Sequence, residues 1–307
     1  MSDDTPVAGV VLGGTGGVWR VRAVTGEVVD ATLRGRLKIE NTSYMKLAVG
    51  DDVRIERPAR GEAWVIAEIL PRRSKLARRA PGGGAGERIV AVNVDQVVVM
   101  FAAARPDPHP RMLDRFLVIA EGNALPARIV VNKIEVAGEP AAREIFDAYE
   151  RVGYPVHYVS VKAEHGLASV GVALAGRRSV VTGPSGVGKS SLLNALFPGA
   201  NLRVGAISES VNKGRHTTVG ANMLPLPGDA DGYVIDTPGL REVGLWALPA
   251  AELDRCFPEM RAVRGECRFA DCRHLSEPDC AVREAVSAGA MTEQRYESYV
   301  RLLAELT

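Results

Sequence analysis

Eight consecutive residues, Gly183 to Ser190, have the types and spacing of a phosphate-binding loop, since Gly-Pro-Ser-Gly-Val-Gly-Lys-Ser matches G-x-x-x-x-G-K-[ST]. The preceding residues 178–182 predict a short buried strand, and residues 191–197 predict the first turns of a helix. Glycines in that setting let backbone N–H groups turn toward a phosphate, and the helix dipole favours the same anion. We therefore predict nucleotide binding, with Lys189 reaching the outer phosphates and the Ser190 hydroxyl ligating Mg²⁺. The predicted phosphate-loop residues are Gly183, Pro184, Ser185, Gly186, Val187, Gly188, Lys189, Ser190 and Ser191.

A second motif, downstream of this loop, predicts contacts to the metal and to the terminal phosphate. Asp236 ends a predicted strand and begins a D-x-x-G element, in which Asp236 would hold Mg²⁺ through water and the Gly239 N–H would contact the γ-phosphate. Between the two motifs, residues 214–218 read Gly-Arg-His-Thr-Thr. Thr217 or Thr218 could complete the Mg²⁺ shell, and we favour Thr218.

A third motif predicts that the base is guanine. Asn132-Lys133-Ile134-Glu135 follows a predicted strand and resembles N-K-x-D, whose carboxylate accepts hydrogen bonds from N1–H and the exocyclic amine of guanine. A site built on such bonds rejects bases that lack those donors. Glu135 is one methylene longer than the usual Asp. Residues 160–162 resemble an S-A-K loop that supports the base. The predicted base-contacting residues are Asn132, Lys133, Ile134, Glu135, Ser160, Val161 and Lys162.

The order of these motifs differs from that of ordinary GTPases, because Asn132 precedes Gly183 in the chain. Cutting and rejoining a chain at surface loops leaves a sheet unchanged and moves only the termini. We therefore predict a circularly permuted GTPase domain. In this order the segment 236–244 leads directly into the C-terminal region, and we hypothesise that its γ-phosphate-dependent movement re-aims that region.

The residues around these motifs predict the element that positions them, a doubly wound α/β domain over residues 87–245. Residues 96–101 form a continuous apolar run, as in a parallel strand that is covered on both faces. Residues 111–120 carry apolar side chains at helical spacing. Strands that alternate with helices place ligands at the carboxyl ends of the strands.

Residues 1–80 predict a different domain, a five-stranded oligonucleotide-binding barrel, because short alternating strands are separated by turn residues. Residues 81–86, Pro-Gly-Gly-Gly-Ala-Gly, predict a flexible linker. Basic side chains here could contact RNA phosphates or could simply form a solvated face, and the sequence leaves both interpretations open. The candidates for RNA contact are Arg34, Arg36, Lys38, Arg72 and Arg73.

Residues 246–307 predict a small helical domain with one structural Zn²⁺. Three of the four cysteines of the chain lie close to a histidine, and three thiolates with one imidazole make a closed tetrahedral site. The predicted ligands are Cys267, Cys272, His274 and Cys280. Cys256 lies apart and is predicted to be a core residue.

Composition excludes several classes of protein. The net charge is +1 and 46% of the residues are hydrophobic, as in ordinary globular proteins. The first residues are acidic rather than apolar, and the longest apolar run is too short to cross a bilayer. We therefore expect a cytoplasmic protein without membrane contact, and we expect a monomer.

Together these motifs resemble the bacterial family of ribosome small-subunit-dependent GTPases A along nearly the whole chain. The resemblance implies that GTP is hydrolysed to GDP and phosphate by a factor that binds the small ribosomal subunit late in its assembly. It also implies stimulation by the subunit and contact with its rRNA through the barrel and the zinc module. The matching elements are Arg34-Gly35-Arg36, Asn93-Val94-Asp95-Gln96, the phosphate loop, Gly214-Arg215-His216-Thr217-Thr218, Asp236-Thr237-Pro238-Gly239, the Cys/His cluster and Glu277-Pro278-Asp279-Cys280-Ala281-Val282.

The catalytic assignment follows from a residue that this chain lacks. Leu240 stands where many signalling GTPases carry a glutamine that orients water, so another group must do so. His216 is our candidate, and an RNA-contacting or structural role for it stays open. The predicted catalytic set is therefore His216, Lys189 and Gly239, and intrinsic hydrolysis should be slow until a partner orders the segment that carries His216.

Two functions from other classes compete with this interpretation. One is a P-loop metabolic kinase with a barrel for its substrate, which tighter binding of ATP than of GTP would favour. The other is a zinc-dependent RNA-binding protein with a structural nucleotide, which hydrolysis without stimulation by small subunits would favour.

Overall fold

In a computed structural model of the chain, the structure describes residues 6–35, 37, 46–57, 63–79, 87–198, 221–226, 232–236 and 248–307. The N-terminal part is a closed barrel with strand order β1-β2-β3-β5-β4, which confirms the predicted barrel. Alternate residues such as Val21, Ala31 and Ile55 point inward and are fully buried, because a strand turns successive side chains to opposite faces. The barrel strands are β1 (Val7–Thr15), β2 (Val18–Ala23), β3 (Val28–Leu33), β4 (Asp52–Glu56) and β5 (Trp64–Ile69).

A two-stranded antiparallel ribbon joins the barrel to the central domain. It consists of β6 (Lys75–Arg79) and β7 (Glu87–Val92). The predicted linker, residues 81–86, lies outside the described residues. Because β6 pairs with β7, the chain around the linker is part of a hydrogen-bonded element of its own.

The central domain contains a six-stranded sheet with the order β10-β9-β8-β11-β13-β12, in which only β12 is antiparallel to its neighbour. Every residue of β8 is buried, so its apolar run is explained by cover on both faces. This arrangement confirms the predicted α/β domain. The strands are β8 (Gln96–Ala102), β9 (Ala127–Asn132), β10 (Val156–Tyr158), β11 (Arg178–Thr182), β12 (Asn222–Pro225) and β13 (Tyr233–Asp236).

Helices cover the sheet and bury apolar faces against it. On the helix Pro110–Gly122, the side chains of Leu113, Phe116, Leu117 and Ala120 are buried at the spacing of one helical face. The helices of this domain are α1 (Pro110–Gly122), α2 (Ile134–Ala137), α3 (Glu139–Arg151), α4 (Leu167–Leu174) and α5 (Lys189–Leu196).

The C-terminal part is helical, as predicted, and packs on α1. Two 3₁₀ segments, Ala250–Cys256 and Arg264–Glu266, alternate with short helices. Leu253, Phe257 and Tyr299 belong to the same apolar cluster as residues of α1, so this part shares one core with the central domain. Its α-helices are α6 (Pro258–Arg261), α7 (Ala281–Ser287) and α8 (Glu293–Leu306). Among the described residues, no helix combines the length and the apolar character that crossing a membrane requires.

Candidate functional site

The phosphate loop lies at the carboxyl end of β11, the strand between β8 and β13. Glycine is required at two of its positions. Gly183 has φ +137°, and a β-carbon there would lie 2.0 Å from the carbonyl oxygen of Met100. Gly188 has φ +101° and passes so close to Asn132 that a β-carbon would lie 2.6 Å from its Nδ2 atom. The sheet therefore approaches this loop more closely than any side chain would allow.

Helix α5 begins directly after the loop and carries the next two predicted ligands. Lys189 and Ser190 are both buried in its first turn. The Lys189 Nζ atom donates to the carbonyl oxygens of Gly183 and Pro184 at 3.0 and 2.7 Å. The ammonium group is thus held at the loop whose N–H groups and helix N-terminus favour a phosphate.

Asp236, the predicted Mg²⁺ ligand, ends the strand next to β11. The pairing of Val180 with Ile235 places Asp236 at the same edge of the sheet as the phosphate loop. The hydroxyl of Ser190 and the carboxylate of Asp236 are hard oxygen donors, which suit Mg²⁺. The described part of the proposed metal site therefore supplies oxygen ligands suited to Mg²⁺ at the edge of the sheet where the phosphate loop lies.

Asn132 joins the predicted base loop to the phosphate loop. It is buried at the end of β9, and its Nδ2 atom donates to the carbonyl oxygen of Val187 at 2.8 Å. Its Oδ1 atom accepts from the Val161 N–H at 3.1 Å. One side chain thus fixes three loops against one another, so the two halves of a nucleotide site are held at a set separation.

Lys133 makes a second connection between the same loops. Its backbone adopts the left-handed conformation, with φ +63°. Its Nζ atom donates to the carbonyl oxygen of Gly186 at 2.7 Å and also to that of Arg105. The charged end is therefore anchored at the phosphate loop, and the aliphatic stem runs from the end of β9 to that loop.

The remaining predicted base-contacting residues lie in the short helix α2 and in the turn at residues 160–162. Glu135 is exposed in the short helix α2, and Ser160 is buried. The Ser160 hydroxyl accepts from the Ala163 N–H at 3.0 Å and shapes the turn that presents Val161 and Lys162. The structure thus brings the base loop, its supporting turn and the phosphate loop together at one edge of the sheet.

Several predicted residues lie outside the part of the chain that the structure describes. They are the switch residues His216, Thr217, Thr218, Gly239 and Leu240 and the barrel residues Arg36 and Lys38. Their roles stay predictions.

The described arginines among the candidates for RNA contact are all ion-paired. Arg34 pairs with Glu56 at 2.6 Å, and Arg73 pairs with Asp95 at 2.5 Å. Arg72 forms two bonds to the fully buried Asp51, at 2.7 and 2.8 Å, and these bonds raise the pKa of its guanidinium. A basic side chain that already forms such an ion pair contributes less to a phosphate-binding face. Arg72 therefore pairs with a buried carboxylate of the barrel domain instead of presenting a free charge to RNA.

The four predicted zinc ligands converge on one point. Their ligand atoms all lie within 4.8 Å of one another. Cys267 Sγ is 3.9 Å from Cys280 Sγ and 3.6 Å from His274 Nδ1, and His274 Nδ1 is 3.4 Å from Cys280 Sγ. A tetrahedral Zn²⁺ with ordinary bond lengths requires edges of about 3.8 Å between two sulfurs and about 3.6 Å between nitrogen and sulfur. The donors therefore fit this ion.

Side chains around this cluster orient its histidine. The His274 Nε2 atom lies 3.4 Å from Oδ2 of Asp254, which is the usual outer partner of a metal-bound imidazole. The Tyr296 hydroxyl donates to the His274 carbonyl at 2.6 Å, and the Tyr299 hydroxyl donates to that of Arg273 at 2.9 Å. No pattern in the sequence indicated Asp254, because it lies in a separate 3₁₀ segment outside the Cys/His spacing.

The local environment separates the pKa values of the clustered thiols. Burial raises the pKa of Cys272 to about 12. Burial also opposes ionisation of Cys280, but the Arg283 N–H and the neighbouring His274 and thiols outweigh it and lower that pKa. A cation at the centre of the cluster would favour the thiolate form of every cysteine.

Comparison with known proteins gives one consistent result. The model of a family described as RsgA GTPase matches residues 69–246. The small ribosomal subunit biogenesis GTPase RsgA of Gemmatimonas aurantiaca is 57% identical over 303 residues, which cover 98% of each chain. The protein of the same name from Moorella thermoacetica is 40% identical over 298 residues, or 97% of each chain.

Solved structures agree with these sequence matches. YjeQ from Thermotoga maritima superposes with a TM-score of 0.80 at 33% identity, over 98% of this chain and 99% of that one. YloQ, described as a circularly permuted GTPase, gives a TM-score of 0.76 at 26% identity, over 100% of this chain and 97% of that one. These matches confirm the predicted resemblance and the permuted order of the motifs.

Proposed function

The chain belongs to the RsgA GTPase family and is a GTP hydrolase, and on that premise we propose that its turnover serves a late step in assembly of the small ribosomal subunit. The nucleotide site in this proposal is supported by the pair of bonds with which Asn132 and Lys133 hold the base loop against the phosphate loop, and the assembly role is supported by similarity. The similarity to the relatives named for subunit biogenesis extends over nearly the whole chain and so includes the barrel and the zinc module.

Each part of the site has a proposed role in hydrolysis. Asn132 to Glu135 select guanine, and residues 160–162 support it. The phosphate loop and Lys189 hold the phosphates. Mg²⁺, held by Ser190, Thr218 and Asp236, would supply charge neutralisation at the β- and γ-phosphates. The Gly239 N–H contacts the γ-phosphate.

His216 is the proposed group that orients the attacking water, since Leu240 has no polar atom to do so. Replacing His216 with alanine should remove most of the stimulated turnover and leave GDP affinity unchanged. Turnover at given concentrations of small subunits measures the first, and fluorescence titration measures the second. Full stimulated turnover in this variant would exclude the catalytic role.

One Zn²⁺ at the Cys/His cluster is supported by the distances among its donor atoms. The ion would be structural, because four protein ligands leave no open position for a substrate. Cys272→Ala should release the bound zinc, as metal analysis of the purified protein would measure. Cys256→Ala is the matched control, since Cys256 lies outside the cluster and its thiol contacts the Glu252 carbonyl. Equal zinc content in the two variants would contradict the proposal.

We divide the chain for this function as the sequence indicates, with a barrel at 1–80, a linker at 81–86, the GTPase domain at 87–245 and a zinc module at 246–307. The barrel and the zinc module are proposed to contact rRNA on the subunit. The protein is proposed to act as a cytoplasmic monomer.

The decisive test is GTP turnover with and without purified small ribosomal subunits. We expect slow turnover alone and at least about tenfold stimulation by subunits, because a partner that positions the catalytic group supplies preorganisation. Lys189→Ala should remove turnover in both conditions. Turnover that subunits leave unchanged would overturn the assembly role while leaving the GTPase itself intact. The comparisons give no support to a metabolic kinase or to a zinc RNA-binding protein with a structural nucleotide.

A further inference from the structure

Arg105 lies beside the phosphate loop in the segment that follows β8. Its carbonyl oxygen accepts from the same Lys133 ammonium that donates to the Gly186 carbonyl. Two oxygens bonded to one ammonium are within about 6 Å of each other. Pro106 also approaches the loop, because a β-carbon at Gly186 would lie 3.8 Å from its Cδ atom. The backbone of Arg105 is thus fixed next to the outer turn of the phosphate loop.

The Arg105 side chain, unlike its backbone, has no partner among the described residues. It is exposed, and no described carboxylate or aromatic ring contacts its guanidinium. The next arginines along the chain differ, since Arg111 pairs with Glu297 and Arg115 pairs with Glu305. A structural ion pair therefore does not account for Arg105.

The guanidinium of Arg105 can reach a nucleotide bound in the phosphate loop. An extended arginine places its guanidinium about 6–7 Å from its Cα atom. Gly186 belongs to the part of such a loop whose N–H groups hold the α- and β-phosphates. A guanidinium has the planar array of donors that matches two phosphate oxygens at once.

We propose that Arg105 binds the α/β-phosphates of the guanine nucleotide from outside the phosphate loop. This inference rests on the proposed placement of the nucleotide between Asn132 and Lys189. Since GDP and GTP share these phosphates, Arg105 contributes equally to the affinity for both. It acts in nucleotide binding and not in the chemical step.

The test measures equilibrium affinities for fluorescent GDP and for a fluorescent non-hydrolysable GTP analogue. Arg105→Gln should weaken both by about the same factor, roughly tenfold, which is the size expected for the loss of a charge-assisted hydrogen bond. Arg105→Lys retains the charge without the two-pronged geometry and should weaken both by about threefold.

Arg111→Gln is the matched control, because it removes the same charge from a nearby exposed arginine that has a glutamate partner. It should bind both nucleotides as the wild type does, and urea unfolding should show that all variants are folded. Arg105→Gln affinities within twofold of the wild type would overturn the inference. So would a loss restricted to the GTP analogue or to turnover, since either would assign Arg105 to the γ-phosphate. Failure of the wild-type protein to bind GDP would instead contradict the proposed function itself.

Discussion

The GTPase domain contacts the barrel on one side and the C-terminal module on the other. These two interfaces, the barrel joint and the C-terminal joint, differ in chemistry. At the barrel joint, Arg178 at the start of β11 donates to Asp52 at 2.6 Å and to the Gly50 carbonyl at 3.0 Å. Asn93 donates to the same carbonyl at 2.9 Å. The side chains of Arg178 and Asp52 remain 16% and 32% exposed, so water reaches this joint.

Tyr233 extends the barrel joint to the strand that ends in Asp236. Arg22 of the barrel donates to the Tyr233 hydroxyl at 3.1 Å, and its guanidinium lies 5.6 Å from the centre of the ring. Arg178 lies 6.0 Å from the same ring. The barrel therefore contacts the beginning of a strand whose end carries the proposed Mg²⁺ ligand.

The C-terminal joint is buried at its centre, where one group of charges is fully enclosed. Arg295 of α8 is 3% exposed and donates to Asp114 of α1 at 2.6 Å and to Glu259 of α6 at 2.8 Å. Its guanidinium also lies over the rings of Tyr149 and Phe257. The surrounding side chains belong to the core that the module shares with α1.

This difference indicates which neighbour can move when the nucleotide changes. Val10, Leu12 and Val49 of the barrel also belong to the core that the module shares with α1. The charged contacts of the barrel joint are nevertheless partly hydrated, whereas those centred on Arg295 are buried. Partly hydrated contacts open at lower free energy than contacts inside a continuous core. We therefore expect nucleotide-dependent motion at the barrel joint, with the C-terminal module fixed to α1. We hypothesise that segment 236–244 moves and re-aims the C-terminal region. If the module stays fixed to α1, that movement changes the position of residues before 248 only.

The largest expected effect of a single change is at the C-terminal joint. Arg295→Met leaves Asp114 and Glu259 buried without their partner, and breaking a buried pair in this way costs about 3–5 kcal/mol. The free energy of unfolding in urea measures the loss. Burial raises the pKa of Asp114, and Arg295 opposes that rise. The variant should therefore lose less stability at low pH, where Asp114 is protonated.

Arg301→Met on the same helix is the control for this prediction, because Arg301 is exposed and has no ion-pair partner among the described residues. Its stability should stay within about 0.5 kcal/mol of the wild type. A loss below about 1 kcal/mol for Arg295→Met would show that the two joints do not differ as we infer.

A smaller effect is expected at the barrel joint. Arg178→Gln removes a partly hydrated ion pair and should cost about 1–2 kcal/mol. Amide exchange should become faster at Val92, whose N–H donates to the Val49 carbonyl across the joint. It should stay unchanged in α8. Arg54→Gln is the control, since Arg54 pairs with Glu68 on the barrel surface only. Faster exchange in α8 would contradict the separation of the joints.

The residues that the sequence predicted well are those whose type is required by the local backbone geometry or by their place in a short loop. Gly183 and Gly188 are required by backbone geometry, and such a requirement leaves a fixed spacing in the chain. Cys267 to Cys280 form one short loop, so their spacing alone indicated convergence on one point. Alternating apolar residues likewise predicted the barrel, and a continuous apolar run predicted the buried sheet.

The contacts that the sequence did not predict join residues far apart in the chain. Arg295 and Asp114 are separated by 181 positions, and the sequence near either residue does not identify the other as its partner. The same limit affected Arg72, whose position in a basic run suggested RNA. Its partner Asp51 lies on another loop, and a charge pattern cannot distinguish a paired side chain from a solvated one.

The smallest effect we predict concerns the zinc loop of the C-terminal module. Partial burial alone would raise the pKa of Glu277, but backbone N–H groups, its own and those of Arg273, Leu275 and Ser276, outweigh it and hold the pKa to about 2. Because the folded-state pKa is depressed, the carboxylate stabilises the fold above the unfolded value of about 4.5. That contribution is lost as the pH falls toward 2.

Glu277→Gln should therefore cost about 1 kcal/mol at neutral pH, after allowance for solvent screening, and progressively less below pH 4.5. The measurement is the difference in unfolding free energy between variant and wild type from pH 7 to pH 2, in which protonation of the zinc ligands affects both proteins alike. Glu284→Gln on α7 is the control, because Glu284 is exposed outside the loop. If Glu277→Gln gave a difference that did not vary with pH, the carboxylate would not hold this loop, and the loop would instead be held by the tyrosines of α8 and by the metal.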